Sequence, residues 1–161
     1  ICDKTSHIYY YEAGGMMFNS GLSVRLVDGN RGRITAADVT DNINLESIHQ
    51  PTTSLVSLEN TSNKGGGSYY RLSDAREIAS VSRAHNLRLH LDGARIFNAL
   101  VETGESPSEW GSLFDTVSIC LSKGLGAPVG SLLLSAKETI VRAKKIRKDF
   151  ISRTVFNVSS A

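Results

Sequence analysis

Residues 116–131 read TVSICLSKGLGAPVGS, a short apolar run that delivers Lys123 into a glycine-rich loop. A strand that ends in a closely packed loop is a place where a fold can present a reactive amine. Lysine is otherwise a strongly hydrated surface residue, so a nucleophilic lysine needs partial burial. The alternative is an ordinary solvated loop lysine. Lys123 is therefore the first candidate site residue.

Short apolar runs alternate with longer amphipathic ones on both sides of this stretch, a pattern that is typical of β-α units. The sequence predicts an α/β fold with a mostly parallel sheet flanked by helices. Ser135 and Glu138 predict a capping box for the last helix, and Gly104 predicts the end of the third. The predicted strands cover residues 23–27, 53–59, 87–91, 116–121 and 130–134, and the predicted helices cover residues 36–44, 73–85, 94–103 and 136–148.

The composition predicts one soluble globular domain, because 40% of the 161 residues are hydrophobic and 21% are charged. A net charge of +2 gives no reason to expect a nucleic acid or a membrane as partner. The two cysteines, Cys2 and Cys120, lie in apolar stretches, which fits a reduced, cytoplasmic compartment. The histidines and cysteines lack metal-ligand spacing, so we expect no metal.

Polar residues follow three of the predicted strands: Glu59 with Asn60, Asp92, and Lys123. In a parallel sheet the carboxyl ends of successive strands share one rim, and ligands bind outside that rim. Asp92 and Lys123 are separated by about the length of one β-α-β crossover, so they can meet across neighbouring strands. A structural ion pair and a functional pair remain equally open at this point.

The residues around Asp92 favour a functional site. Gly93 permits another backbone or a ring to approach closely, and Arg95 offers a two-pronged hydrogen-bond donor to a carboxylate. An acid, an arginine and a lysine at one rim match the needs of pyridoxal 5'-phosphate (PLP) chemistry. That chemistry uses an amine for the cofactor aldehyde, a partner for the pyridine nitrogen and an anchor for the substrate carboxylate.

Four motifs carry a resemblance to a known family. HLDGARIFNA (residues 90–99) and FDTVSICLSKGLGAPVGSLL (114–133) resemble the low-specificity L-threonine aldolases, as do SHIYYYEAGG (6–15) and LENTSNKGGG (58–67). The resemblance runs from residue 1 to about residue 150. It implies the aspartate-aminotransferase-like fold, PLP as cofactor, and retro-aldol cleavage of L-threonine or allo-threonine to glycine and acetaldehyde.

The resemblance also implies a role for each site residue. Lys123 would bond covalently to the cofactor, Asp92 would bond the pyridine nitrogen, and Arg95 would bind the carboxylate of the amino-acid substrate. His7 would stack on the cofactor ring and could take part in proton transfer. Without the family, His7 would be interpreted as a histidine packed beside neighbouring tyrosines. Glu12 could lie near the cofactor or close a turn.

The chain departs from the family at several points. Ser62 stands where many members carry a second histidine, and serine is no general base at neutral pH, so a water or His7 would have to replace it. We expect residues 1–150 to be an internal fragment of the large PLP-binding domain, without the N-terminal segment and the C-terminal small domain. Residues 151–161 would be a divergent, disordered tail.

These departures leave the function of the isolated chain open. We expect little activity from the fragment and a homodimer or homotetramer for the full-length protein. The alternatives are β-elimination or transamination with the same cofactor, and a non-catalytic truncated module.

Overall fold

The structure is a computed structural model that describes the backbone of residues 1–150 and the side chains of residues 1–149. The expected tail, residues 151–161, lies outside the described residues. The elements in chain order are β1 (Cys2–Asp3), α1 (His7–Tyr10), α2 (Gly15–Ser20), β2 (Leu26–Val27), α3 (Ala36–Asp41), β3 (Leu55–Glu59), α4 (Leu72–Ala84), β4 (Arg88–Asp92), α5 (Ile96–Thr103), α6 (Pro107–Leu113), β5 (Thr116–Cys120), β6 (Ser131–Ser135) and α7 (Lys137–Phe150).

A four-stranded sheet in the order β3-β4-β5-β6 forms the centre of the fold. Strands β3, β4 and β5 are parallel, and β6 runs antiparallel to β5. Strands β1 and β2 form a separate parallel pair, and β1 lies beside β3, since Ser57 N–H donates to the Ile1 carbonyl at 2.9 Å. The predicted α/β class and the mostly parallel sheet are confirmed.

The hydrophobic core lies on one face of this sheet, because strand side chains alternate between the two faces. Helices α4 and α6 contribute Ile78 and Trp110 to it, and the Trp110 indole N–H donates to Glu105 at 2.9 Å. The core residues of the central strands are Val56, Leu58, Leu89, Leu91, Val117 and Ile119. Burial of each of these aliphatic side chains stabilises the fold by about 1.5–3 kcal/mol, so the core holds the three strands in place.

The opposite face of the sheet lines a cavity of about 940 Å³ that includes Ser57, His90 and Thr116. Strand register places Ser57 opposite His90 and His90 opposite Thr116. Two residues further along, the same face carries Glu59 and Asp92 at the carboxyl ends of β3 and β4. The rim predicted from the sequence therefore lies at one end of this open face.

The structure corrects several predicted boundaries. Strand 23–27 is reduced to Leu26–Val27, and helix 36–44 ends at Asp41. The predicted capping box is wrong, because Ser135 belongs to β6 and its hydroxyl donates to the Asp115 carbonyl at 2.6 Å. Gly104 does end α5, with a φ of 71° that suits glycine.

Three short helices, α1, α2 and α6, were not predicted, since none is long enough to show a helical period. Within residues 1–150, every helix is too short or too polar to cross a membrane.

Candidate cofactor-binding site

Asp92 is the central acid of the rim. It is the last residue of β4, lies between Glu59 and Ser118 in the sheet register, and is only 7% exposed. Its Oδ1 accepts the Ala94 N–H at 3.1 Å. Within residues 1–149 no cation pairs with this carboxylate, so the structural Asp92–Lys123 ion pair is not formed. Asp92 thus keeps a second oxygen for a ligand.

Gly93 holds the end of β4 against β5. Its N–H donates to the Ser118 carbonyl at 2.8 Å. A Cβ at this position would lie 2.9 Å from the same carbonyl oxygen, closer than side chains normally approach. The close approach predicted for Gly93 is therefore made by the Ser118 backbone, and it sets the position of the Asp92 carboxylate.

Lys123 lies three residues beyond β5, half-buried, in a loop that is closed by its own backbone. Gly126 N–H donates to the Lys123 carbonyl at 3.0 Å, and Leu121 N–H donates to the Gly130 carbonyl at 2.9 Å. Gly124 packs against α5, where a Cβ would lie 2.5 Å from Asn98 Oδ1. The loop therefore rests on α5, and in the described part of the chain its lysine ammonium has no hydrogen-bond or ion-pair partner.

Arg95 precedes the first residue of that same helix α5. The residue is half-buried, and its guanidinium has no partner among residues 1–149. Arg95 and Lys123 are thus attached to one packed unit, the start of α5 and the loop that rests on it. The sequence predicted both cations at the rim, and the structure leaves both available to an anionic or electrophilic ligand.

His7 opens α1, and its ring packs beside Tyr11 with the centroids 4.9 Å apart. Its Nε2 lies 3.1 Å from Glu12 Oε1. Its Nδ1 is buried and has no hydrogen-bond partner in the structure. The packing beside tyrosines is confirmed. It leaves Nδ1 without a hydrogen bond, and buried nitrogens of this kind usually have one, so a ligand could supply it. Glu12 faces His7, while its carbonyl also closes a turn to Gly15 at 2.8 Å.

Ser62 is buried in the loop that follows β3. It is 1% exposed, and its Oγ accepts the Gly65 N–H at 3.2 Å. A Cβ on Gly32 would lie 2.0 Å from this oxygen, so the serine fills the space between two loops. Both its packing and its hydroxyl chemistry therefore argue against Ser62 as a general base.

His90 has a structural place, as its alternating strand suggested. Its Nδ1 lies 2.7 Å from Thr116 Oγ1 across β4 and β5. Burial lowers the pKa of His90, against the opposing effect of Asp92, which favours the neutral imidazole.

The residues present fit a PLP cofactor. A buried carboxylate with a free oxygen suits a protonated pyridine nitrogen, and an unpaired lysine suits an aldehyde. The unsatisfied Nδ1 of His7 gives independent support, because a buried polar atom without a partner indicates a missing contact.

Comparison with known proteins agrees with this chemistry. The chain matches the family described as beta-eliminating lyase over residues 1–153. The chain belongs to the beta-eliminating lyase family. Members of this family depend on PLP.

Two curated relatives show how varied this lyase family is. A low-specificity L-threonine aldolase of Candida albicans is 40% identical over 92% of the chain and 40% of its own length. An alanine racemase of Cochliobolus carbonum is 37% identical over 92% of the chain and 38% of its own length. The chain thus spans about two fifths of the length of the curated relatives it matches.

A solved structure confirms the fold of this lyase chain. The threonine aldolase of Leishmania major superposes with a TM-score of 0.67 at 26% identity, covering 76% of the chain and 36% of that protein. The resemblance to threonine aldolases that the four motifs predicted is confirmed.

Proposed function

We propose that the protein is a PLP-dependent aldehyde-lyase that cleaves L-threonine and allo-threonine to glycine and acetaldehyde. The observation that carries the proposal is the buried Asp92 carboxylate, which keeps one oxygen free at a rim where Lys123 and Arg95 are unpaired. The 40% identity to a threonine aldolase supports this reaction among those that PLP supports. The matched residues 1–153 support their assignment to the large PLP-binding domain.

When bound, PLP supplies an electron sink for the bond that breaks at the substrate Cα. Asp92 would hold a proton at the pyridine nitrogen through its free oxygen, and Lys123 would bind the cofactor through its ε-amine. Arg95 would bind the substrate carboxylate and so orient the Cα–Cβ bond for cleavage. His7 would lie against the cofactor ring, with its Nδ1 left for a separate hydrogen bond.

Cleavage also requires a group that takes the proton of the β-hydroxyl. Ser62 is excluded from this role by its burial and by its hydroxyl chemistry. His7 carries an imidazole, a common proton-transfer group in enzymes, and Glu12 lies beside its Nε2, so we assign the proton transfer to His7, directly or through a water.

The proposal also covers the compartment, the metabolic role and the oligomeric state of the enzyme. Both cysteines are free thiols, which fits a reduced, cytoplasmic compartment. Threonine catabolism and glycine biosynthesis follow from the reaction itself. Exposed aromatic side chains on α1 and α2, Tyr10 and Phe18 among them, support a homodimer or homotetramer, since apolar surface of this kind favours association.

The test separates the site from the reaction. The chain is treated with PLP at low concentration, reduced with borohydride, and mapped by mass spectrometry. We expect one pyridoxyl group at Lys123, retained in Lys137→Ala and absent from Lys123→Ala, because Lys137 is an exposed lysine outside the rim. Acetaldehyde release from L-threonine is then compared for the same three variants of the full-length protein, and full turnover by Lys123→Ala would refute the assignment.

The alanine racemase relative favours one second candidate, another PLP reaction on the same rim. Racemised alanine without acetaldehyde from threonine would support that candidate. A wild-type chain without a label at Lys123 would favour the third candidate, a non-catalytic module.

A further inference from the structure

Glu59 is a buried rim carboxylate to which neither the cofactor nor the substrate gives a role. It ends β3, lies next to Asp92 in the strand register, and is only 5% exposed. Removal of a carboxylate from water is costly unless hydrogen bonds replace its hydration. Among residues 1–149 no lysine, arginine or histidine forms an ion pair with it. Its compensation therefore comes from uncharged donors.

Those donors are two backbone amides from different parts of the chain. His7 N–H donates to Oε2 at 2.9 Å, and Asn63 N–H donates to Oε1 at 2.9 Å. Each oxygen of Glu59 is thus committed to one segment: the first residue of α1, or the loop of residues 60–68. The carboxylate joins the two segments at the rim.

The two segments also contact each other directly, through a lysine of the loop and two tyrosines. Lys64 Nζ, in the loop, lies 4.9 Å from the ring centroid of Tyr10 and 5.4 Å from that of Tyr11. Tyr11 in turn packs beside His7. A chain of contacts thus connects Glu59, through the 60–68 loop and Tyr11, to the His7 ring.

We propose that Glu59 is a positioning residue that fixes the His7 ring at the rim by holding α1 and the 60–68 loop together. The inference rests on the proposed function in one respect, the role of His7 against the cofactor. A carboxylate is required at this position because each of its two oxygens accepts a hydrogen bond from a backbone N–H. Glutamine has one accepting oxygen, and its NH₂ group cannot accept the second amide N–H.

The first arm of the test needs no cofactor. Hydrogen exchange of the His7 and Asn63 amides is measured by NMR in the wild-type chain, in Glu59→Gln and in Glu102→Gln. Glu102 is an exposed glutamate on α5 without a partner among residues 1–149, so it controls for loss of one charge. We expect exchange of at least one of the two amides to accelerate about tenfold or more in Glu59→Gln, and a shift of the His7 ring resonance beside Tyr11. Glu102→Gln should change neither.

The second arm is a double-mutant cycle on PLP affinity. Glu59→Gln should weaken PLP binding about tenfold in the wild-type background and have no further effect in a His7→Ala background, because it acts through His7. An equal loss in both backgrounds would show a structural role only and would overturn the proposal. Unchanged amide exchange and an unchanged His7 resonance would overturn it as well.

Two further outcomes are covered. If Glu59→Gln does not fold, Glu59→Asp carries both arms, since it keeps the charge but is one methylene too short to reach both amides. If no variant and no wild-type chain binds PLP, the proposed function fails, while the cofactor-free arm still decides whether Glu59 positions His7.

Discussion

Replacement of Gly93 by alanine tests whether the rim is held as the structure shows. The added Cβ would lie 2.9 Å from the Ser118 carbonyl oxygen and 3.4 Å from the Ile96 Cβ. The nearer contact is with backbone that also accepts the Gly93 N–H, so no side-chain rotation relieves it. Strands β4 and β5 must separate locally, and overpacking of this kind costs about 1–3 kcal/mol of unfolding free energy.

Gly111→Ala is the matched control. Gly111 lies inside α6, and a Cβ there meets no atom within 4 Å. Alanine should stabilise the helix by about 0.5–1 kcal/mol. Since 1 kcal/mol shifts Tm by about 2–4 °C in a domain of this size, Gly93→Ala should lower Tm by about 2–12 °C and Gly111→Ala should raise it by about 1–4 °C.

Thermal unfolding followed by circular dichroism measures both shifts, and PLP titration measures the consequence for the site. Because Gly93 places the Asp92 carboxylate, Gly93→Ala should also weaken PLP binding, whereas Gly111→Ala should not. A Gly93→Ala chain that melts at or above the wild-type temperature would show that the end of β4 is not packed against Ser118 as described.

Two further predictions concern single carboxylates. Asp92→Asn keeps an acceptor for the Ala94 N–H but loses the charge, so threonine cleavage by the full-length protein should slow about tenfold to a hundredfold while Tm changes little. Equal kinetics in acetaldehyde release would show that Asp92 is structural. Burial acts to raise the pKa of Asp115, but hydrogen bonds from Arg83, the Leu89 N–H and Arg88 outweigh it and lower that pKa below 3.8. The ionised carboxylate therefore adds stability above pH 3.8, and this contribution is lost as the pH falls through the lowered pKa. Urea unfolding at about pH 5 and about pH 2 should show a smaller acid loss in Asp115→Asn than in the wild type, and equal losses would contradict the role of these hydrogen bonds.

The strands of the central sheet could be predicted from the sequence because β3, β4 and β5 bury one face in the core, and β6 packs Leu132 and Leu134 against it. Alternation and apolar runs located β3 to β6 to within two residues, and parallel topology then placed Asp92 at a rim. Helices α1 and α2 are different, since they are short and contain no buried residue. Tertiary contacts, such as the bond from His7 N–H to Glu59, hold α1 in place, and no local pattern encodes them.

The same limit applies within the site. Asp92, Arg95 and Lys123 follow strand ends, so topology could predict them as a group. Glu59 was recognisable as a rim residue, but its role depends on two amides that only the folded chain brings together. Ser62 shows the reverse case: the resemblance led us to expect a second histidine at this position, but the serine there packs against Gly32.

Ion pairing differs between the protein surface and the rim, and this difference indicates what the rim binds. On the surface, arginines form ion pairs even though such pairs add little stability. Arg83 and Arg88 both pair with Asp115, at 2.7 and 3.0 Å. At the rim, Lys123 and Arg95 are half-buried, and no partner is found for either within residues 1–149. Partial burial makes an unpaired cation more costly than it would be in water, so this arrangement does not serve stability. It is favourable when ligands supply the missing groups: the aldehyde of PLP would bond to the lysine, and the carboxylate of an amino-acid substrate would bind the arginine.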